Sequence, residues 1–378
     1  MTRFIKGCIA FSLIALVVVI VLAINEDEPS FVRYNYVNES INQGALVLAV
    51  DSQGAITQTA TGVVRGYKLN GEAVWEQSFT RFDSATNAVR SARAQCTTAC
   101  PSAFLTLPER TIGVGGADPT GSLARALAGG ESQLVQTIDD DSLFVNRNES
   151  STTGLFTMFA SSPGAPTQVS TGLRGAAYVG LSGDRKVAVA GLAGDDSAGA
   201  GLRLRQLKRS GASWRASGDS LALSKNANAC ISPRGNYTGI VDDQLRIVGE
   251  FDGSSRSVGP KVESGTCTIG DDGAVTLIHN PRGDTQTIVA TRFSSSGKQR
   301  WSREHRGARL VSKAGALFYA VRDQTGRLSV FDAASGKPLL NDPLVGVPPG
   351  GGGLGIGLDA IVRADRKGQP TWLLKLPR

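Results

Sequence analysis

One short pattern recurs along the chain and constrains it more than anything else: a polar turn closing on glycine, then a strand that opens on tryptophan. TRFSSSGKQRW (291–301) places Gly297 four residues before Trp301, GYKLNGEAVW places Gly71 four before Trp75, and RADRKGQPTW places Gly368 four before Trp372. QLKRSGASW is one residue shorter, Gly211 to Trp214, and VFDAASGKPLL keeps the turn at Gly336 but has Leu340 where the tryptophan would fall. All four tryptophans of the chain follow such a turn. A second element alternates with the first: an apolar run, a short polar turn and another apolar run. It occurs at LAVDSQGAIT (48–57), LTLPERTIGV (105–114), QTIDDDSLFV (136–145), VGLSGDRKVAV (179–189), ACISPRGNYTGIV (229–241), CTIGDDGAVTLI (267–278) and LVSKAGALFYAV (310–321). From the second copy on, these turns are about 41 residues apart, a spacing that belongs to four-stranded propeller blades.

Two hairpins per period make four strands per period. Residues 40–378 therefore predict an all-β propeller of about eight blades, or seven if the irregular segment 84–130 forms none. The other expectations are local. Ser84–Ala94 and Leu123–Ala128 are short enough for single helical turns. LTLPERTIGV is read as the turn between the first and second strands of its blade. The last unit has a third-to-fourth hairpin at Gly368 with no evident first pair, and Phe31–Tyr36 is the candidate segment to complete it. Forty-six glycines with 6% aromatic residues suit many tight turns.

Ahead of the repeats, Cys8–Ile24 is 17 residues without a charge, preceded by Arg3 and Lys6 and followed by Asn25-Glu-Asp-Glu28. The run is at the lower limit for crossing a bilayer, and basic-before, acidic-after charge orients it with its N-terminus inside. The reading is a cytoplasmic stub at 1–7, a transmembrane helix or signal anchor at 8–24, a linker with a closing strand at 25–39, and an exported domain beyond. Val21-Leu-Ala23 offers the alternative of cleavage by a signal peptidase. Four cysteines lie on the exported side, where disulfides persist. Cys96 and Cys100 are close enough in sequence for a local bridge. Cys230 and Cys267 occupy equivalent places on neighbouring blades and are predicted to bridge them.

The repeats GYKLNGEAVW, RFSSSGKQRW and VFDAASGKPLL resemble those of the pyrroloquinoline-quinone-like propellers, whose pattern is apolar-Asp, turn, Gly-Lys, two residues, Trp. That family includes quinone-dependent dehydrogenases and the outer-membrane assembly scaffold propeller of Gram-negative bacteria. The resemblance implies that Trp75, Trp214, Trp301 and Trp372, with their turn glycines Gly71, Gly211, Gly297, Gly336 and Gly368, pack between blades. The copies here depart from the pattern: Gly253 and Gly336 lack the tryptophan, and only Gly297 and Gly336 are followed by lysine. The quinone enzymes are expected to carry a vicinal cysteine pair and clustered calcium-ligating acids, and this chain has no Cys-Cys pair.

Other chemistry reads as ordinary. Asp139-Asp140-Asp141 and Asp271-Asp272-Gly273 lack the alternating oxygens of a calcium loop and fall in turns. His279 and His305 have no nucleophile motif around them. Arg282-Gly283-Asp284 is a three-residue match to an adhesion motif. The glycine-rich stretch 348–357 leads into no helix and reads as an inter-blade loop. Asn38, Asn148 and Asn236 head Asn-x-Ser/Thr triplets, which matter only in a glycosylating host. Net charge is +7, and +5 beyond residue 24 where only Arg3 and Lys6 are lost. With the basic residues scattered, this is a soluble surface rather than a nucleic-acid groove. The expectation is a non-enzymatic, cofactor-free scaffold at the cell membrane for protein partners or envelope polymers. The alternative is an enzyme or a sugar or quinone binder that uses the central channel.

Overall fold

The computed structural model describes residues 45–78, 82–83, 88–89, 92–107, 110–128, 132–149, 152–160, 165–174, 176–192, 203–224, 227–242, 244–249, 255–262, 265–281, 283–311, 315–340 and 353–376. The segments 1–7, 8–24 and 25–39 lie outside them. Among the described residues no helix is long and apolar enough to cross a membrane.

The chain lays down antiparallel sheets in sequence order. The first is β1 (Leu46–Val50), β2 (Gly54–Gln58), β3 (Val63–Lys68) and β4 (Ala73–Ser78). A two-stranded pair, β5 (Phe82–Asp83) and β6 (Ala88–Val89), precedes the second sheet of β7 (Arg93–Cys96), β8 (Ala103–Thr106) and β9 (Thr111–Val114), on which helix α1 (Ser122–Ala128) packs. The third is β10 (Ser132–Asp139), β11 (Ser142–Glu149), β12 (Thr152–Phe159) and β13 (Thr167–Arg174). The fourth is β14 (Ala176–Leu181), β15 (Val187–Leu192), β16 (Arg203–Ser210) and β17 (Ser213–Ala222). The fifth is β18 (Asn228–Ile231), β19 (Thr238–Val241), β20 (Gln244–Val248) and β21 (Arg256–Lys261). The sixth is β22 (Gly265–Ile269), β23 (Val275–His279), β24 (Thr287–Phe293) and β25 (Gln299–Arg306). The seventh is β26 (Ala308–Leu310), β27 (Phe318–Asp323) and β28 (Leu328–Asp332), and the eighth β29 (Leu354–Ile356), β30 (Ala360–Ala364) and β31 (Pro370–Lys375). These eight sheets form the ring of a β-propeller, and the first strands run side by side around its centre from the eighth sheet through the first to the sixth.

The core lies between sheets rather than inside any one of them. Ile138, Phe144 and Leu155 of the third sheet meet Val179, Ala188, Ala190 and Leu207 of the fourth, and equivalent apolar layers fill the other junctions. The turns between first and second strands are also joined to one another. Cys100 N donates to Asp51 Oδ2 (2.9 Å), Ser102 Oγ to Asp140 Oδ1 (3.1 Å) and Arg185 to Ile138 O. Gly183 N donates to Pro233 O (2.6 Å) and Arg234 N to Asp271 Oδ1 (2.8 Å). Gly315 N reaches Cys267 O (2.9 Å), Leu317 N reaches Leu358 O (2.9 Å), and Ser52 N closes the circle on Asp359 Oδ1 (3.1 Å). All eight junctions carry such a bond, with Ile138 and Cys267 accepting from within strands β10 and β22 rather than from turns.

The tryptophans obey strand parity. Trp75 pairs with Gly66 and faces the second sheet, donating Nε1 to Pro101 O at 3.0 Å. Trp301 pairs with Arg292 and faces the seventh, donating to Ala334 O at 2.9 Å. Trp372 packs against Ala45, Val47 and Val50 of the first. Trp214, one residue nearer its glycine, turns the other way and sits on Phe144 of the preceding sheet, ring centroids 5.1 Å apart. Side chains alternate faces along a strand, so a one-residue change in spacing reverses the direction of packing.

Four expectations need correction. LTLPERTIGV joins β8 to β9, the second and third strands. The first-to-second turn of that sheet is instead 97–102, a stretch without the apolar run–turn–run pattern. In the glycine-rich stretch, residues 354–356 form strand β29 rather than loop. A methyl at Gly353, Gly355 or Gly357 would lie 2.6, 2.2 or 2.3 Å from Ala45 O, Val47 Cγ1 or Val50 O, so the glycines permit close backbone approach to β1. Because β29 lies against β1 it is the innermost strand, and the Gly368 hairpin therefore joins second and third strands, not third and fourth. Ser84–Ala94 holds no described helix: residues 88–89 and 93–94 are in strands. Leu123–Ala128 is helical, within α1.

A methyl at Gly66 would stand 2.2 Å from the Trp75 indole. Gly66→Ala is expected to cost about 1–3 kcal/mol by overpacking, and clearly less in a Trp75→Leu background. Urea denaturation of the four proteins measures this, and equal costs in both backgrounds would reject the contact.

Candidate functional site

The centre of the ring is the first place to look for chemistry, because loops from every sheet converge there. The inner strands are LVLAV, RAQC, SQLVQTID, AAYVGL, NACI, GTCTI, ARL and LGI. They carry one carboxylate, Asp139. Its Oδ2 is 3.0 Å from Arg209 Nη1, and its Oδ1 accepts the Ser142 hydroxyl at 2.5 Å and Asp141 N at 3.1 Å. The side chain is thus engaged by the turn it sits in and by the neighbouring sheet.

A polar network lies beside it, at the rim of sheets two to four. Asp140 accepts the hydroxyls of Thr97 and Ser102, and its carbonyl accepts Asp118 N. Arg185, at a left-handed φ of 57°, extends its guanidinium from the fourth sheet across the third to the carbonyls of Ile138, Thr97 and Thr98. Arg209 also lies over the Phe159 ring at 6.0 Å. Sequence reading missed Arg185, since Ser-Gly-Asp-Arg-Lys signals a turn and nothing about the direction of one side chain.

Disulfides join Cys96 to Cys100 and Cys230 to Cys267, with Cα atoms 5.1 and 5.7 Å apart. The first closes the irregular turn of the second sheet. The second crosses from the fifth sheet to the sixth beneath Gly239, where a methyl would meet Cys230 Sγ at 2.7 Å.

The remaining candidates resolve into turn chemistry. Asp271 receives Arg234 N, and Asp272 Oδ1 receives Ala274 N at 3.0 Å. Asp284 is held below the usual carboxylate range by hydrogen bonds from Thr287 and Gln286, while Arg282 lies outside the described residues. Asn236 is exposed in a turn and Asn148 lies in β11. Asn38 and Gly253 lie outside the described residues. Among the described residues no three His, Cys, Asp or Glu side chains converge to hold a metal ion.

The two histidines differ. His279 ends β23 with Nδ1 3.0 Å from Asn280 O. His305 is set between sheets six and seven, 3.3 Å from the Tyr319 hydroxyl and with its ring 4.7 Å from that of Phe331. Arg303 lies 5.0 Å over the same Phe331. Burial, then the charge of Arg303, lowers the His305 pKa to about 4, and burial pushes the Tyr319 phenol up.

No protein-family model matches the chain, and no curated protein matches it by sequence. Solved structures do. The C-terminal WD40 domain of Sif2 aligns with a TM-score of 0.50 at 12% identity, over 89% of this chain and 97% of that one. BamB from Moraxella catarrhalis aligns at 0.45 and 18%, over 88% and 95%. The dihydro-heme d1 dehydrogenase NirN, in complex with DHE, aligns at 0.46 and 13%, over 79% and 67%. At such identities the likeness is one of fold.

His305 makes stability depend on pH. Neutral in the folded protein down to about pH 4 and ordinary in the unfolded chain, it favours unfolding as pH falls through the window from about 6.5 to 4. Thermal denaturation at pH 7.5 and 4.5 should show a larger loss in the wild type than in His305→Gln. Equal losses would remove this role.

Proposed function

We propose that this chain is a membrane-tethered β-propeller, exported from the cytoplasm, that works as a non-enzymatic scaffold for protein partners or envelope polymers at the cell envelope. The observation that carries the scaffold reading is the inner wall. Half of the residues of its strands are Leu, Val, Ala or Gly, and their one carboxylate, Asp139, is engaged by Arg209 and Ser142, which favours recognition through the turns and outer strands. Export rests on two features. The charge-free run Cys8–Ile24 has basic residues before it and acidic residues after it. The four cysteines beyond it are paired, as suits an oxidising compartment. The repeats around Gly71, Gly297 and Gly336 support a grouping with the quinoprotein-like propellers, as a degenerate member in which the tryptophan joint is retained without its lysine at Gly71 and Gly368.

Two measurements test the reading together. In intact cells of the native host, a membrane-impermeant amine-reactive crosslinker should label the propeller and join it to discrete protein or polymer adducts. Lack of labelling until the membrane is broken would overturn export, and labelling without any adduct would overturn the scaffold.

A further inference from the structure

The glycine turns of the repeats differ in the residue that stands before the glycine. It is serine at Gly211, Gly297 and Gly336, lysine at Gly368 and asparagine at Gly71. Asn70 is the only asparagine of the chain followed by glycine. That pair carries a chemistry the other turns lack. The backbone nitrogen after an asparagine can attack the side-chain carbonyl carbon and close a five-membered succinimide ring. A side chain on the attacking residue hinders the approach, and glycine has none. Serine and lysine offer no side-chain carbonyl to attack.

The local structure leaves Asn70 open to this reaction. It is exposed at the tip of the hairpin between β3 and β4. Its Oδ1 accepts Glu72 N at 3.0 Å, which folds the side chain back toward the Gly71 peptide group. Gly71 sits at a left-handed φ of 80° and can leave it without steric penalty. Its nitrogen donates to Lys68 O at 2.9 Å, and exposed hairpin tips of this kind open locally at low cost.

We propose that Asn70 is a site of spontaneous covalent modification, converted through a succinimide to aspartate and isoaspartate. Gly71 N gives up its proton and bonds to Asn70 Cγ, and Nδ2 leaves as ammonia. Water then opens the ring. Attack at one carbonyl gives aspartate. Attack at the other gives isoaspartate, in which the main chain runs through Cγ, is longer by one carbon atom and bears a free α-carboxylate.

The consequence falls on the seam between the eighth sheet and the first. Gly71 O accepts Gln369 Nε2 at 2.9 Å, and within the turn Lys68 N donates to Glu72 O at 3.0 Å. A lengthened main chain displaces both acceptors. Either product also sets a second carboxylate beside Glu72, whose Oε2 receives Asn70 Nδ2 at 3.4 Å and Lys68 Nζ at 3.5 Å. A donor is thereby exchanged for a like charge. The turn itself does not require asparagine, since serine serves in three other copies, so Asn70→Ser keeps the fold and removes the chemistry. The proposal is independent of the scaffold reading.

The test is incubation of the purified full chain at neutral and at mildly alkaline pH. Isoaspartate is located by enzymatic methylation and peptide mapping. Position 70 is expected to convert several-fold faster than any other asparagine, and faster at the higher pH because the attacking nitrogen must lose its proton. Asn70→Ser should give no product there. In the aged wild type the amides of Lys68 and Gly71 should exchange hydrogen faster than in fresh protein, and aged Asn70→Ser should show no such change. Conversion of another asparagine at an equal or greater rate, or unchanged exchange at 68–72 once position 70 is converted, would overturn the proposal.

Discussion

Everything in this molecule depends on how one sheet is held to the next. A four-stranded sheet with two apolar faces is not stable alone, and the core lies in the junctions. The turn-to-turn hydrogen bonds add direction to that burial. They fix the height at which each sheet meets its neighbour, which non-directional apolar packing cannot do. Asp51 and Asp359 show the logic at the seam: both are nearly fully buried, and their carboxylates receive backbone N–H groups of the adjacent sheet. Such charge-assisted bonds are strong when made, and a buried partner left without one is costly.

That design explains which parts were legible in the sequence. The period and strand count follow from turn chemistry and alternation, both local, and eight sheets are where the spacing places them. The Cys230–Cys267 bridge was legible because equivalent positions on consecutive repeats are neighbours in space. The errors fall where local signals are ambiguous. An apolar run, a polar turn and an apolar run describe a first-to-second hairpin and a second-to-third hairpin equally well, so 105–114 was misplaced by one strand. Glycine density in 348–357 reads as loop, although close approach to β1 is what requires Gly353, Gly355 and Gly357. Arg185 had no sequence signal, since its role depends on three carbonyls from two other sheets.

The candidate site was harder to read than the fold for a physical reason. On the scaffold reading proposed above, recognition would use exposed turns and strands of suitable shape, with none of the spaced nucleophiles, bases or ligands that betray an active site. The carboxylates that drew attention in the sequence, Asp139, Asp140 and Asp271, each engage a neighbouring sheet. Their conspicuous position at the turns is accounted for by assembly of the ring.

The tryptophan spacing carries the argument one step further. With four residues from turn glycine to tryptophan, the indole faces the following sheet. With three, at Gly211, it faces the preceding one. The junction of sheets three and four therefore receives Trp214 from one side only, and sheet four contributes no tryptophan to its junction with sheet five. There Gly183 N bonds to Pro233 O, and Leu204 and Val189 meet Ile240 and Val248 with no aromatic side chain in the layer. Next along the ring, at sheets five and six, stands the cross-sheet disulfide. A covalent tie thus stands beside the junction that one missing residue before Trp214 left without its indole.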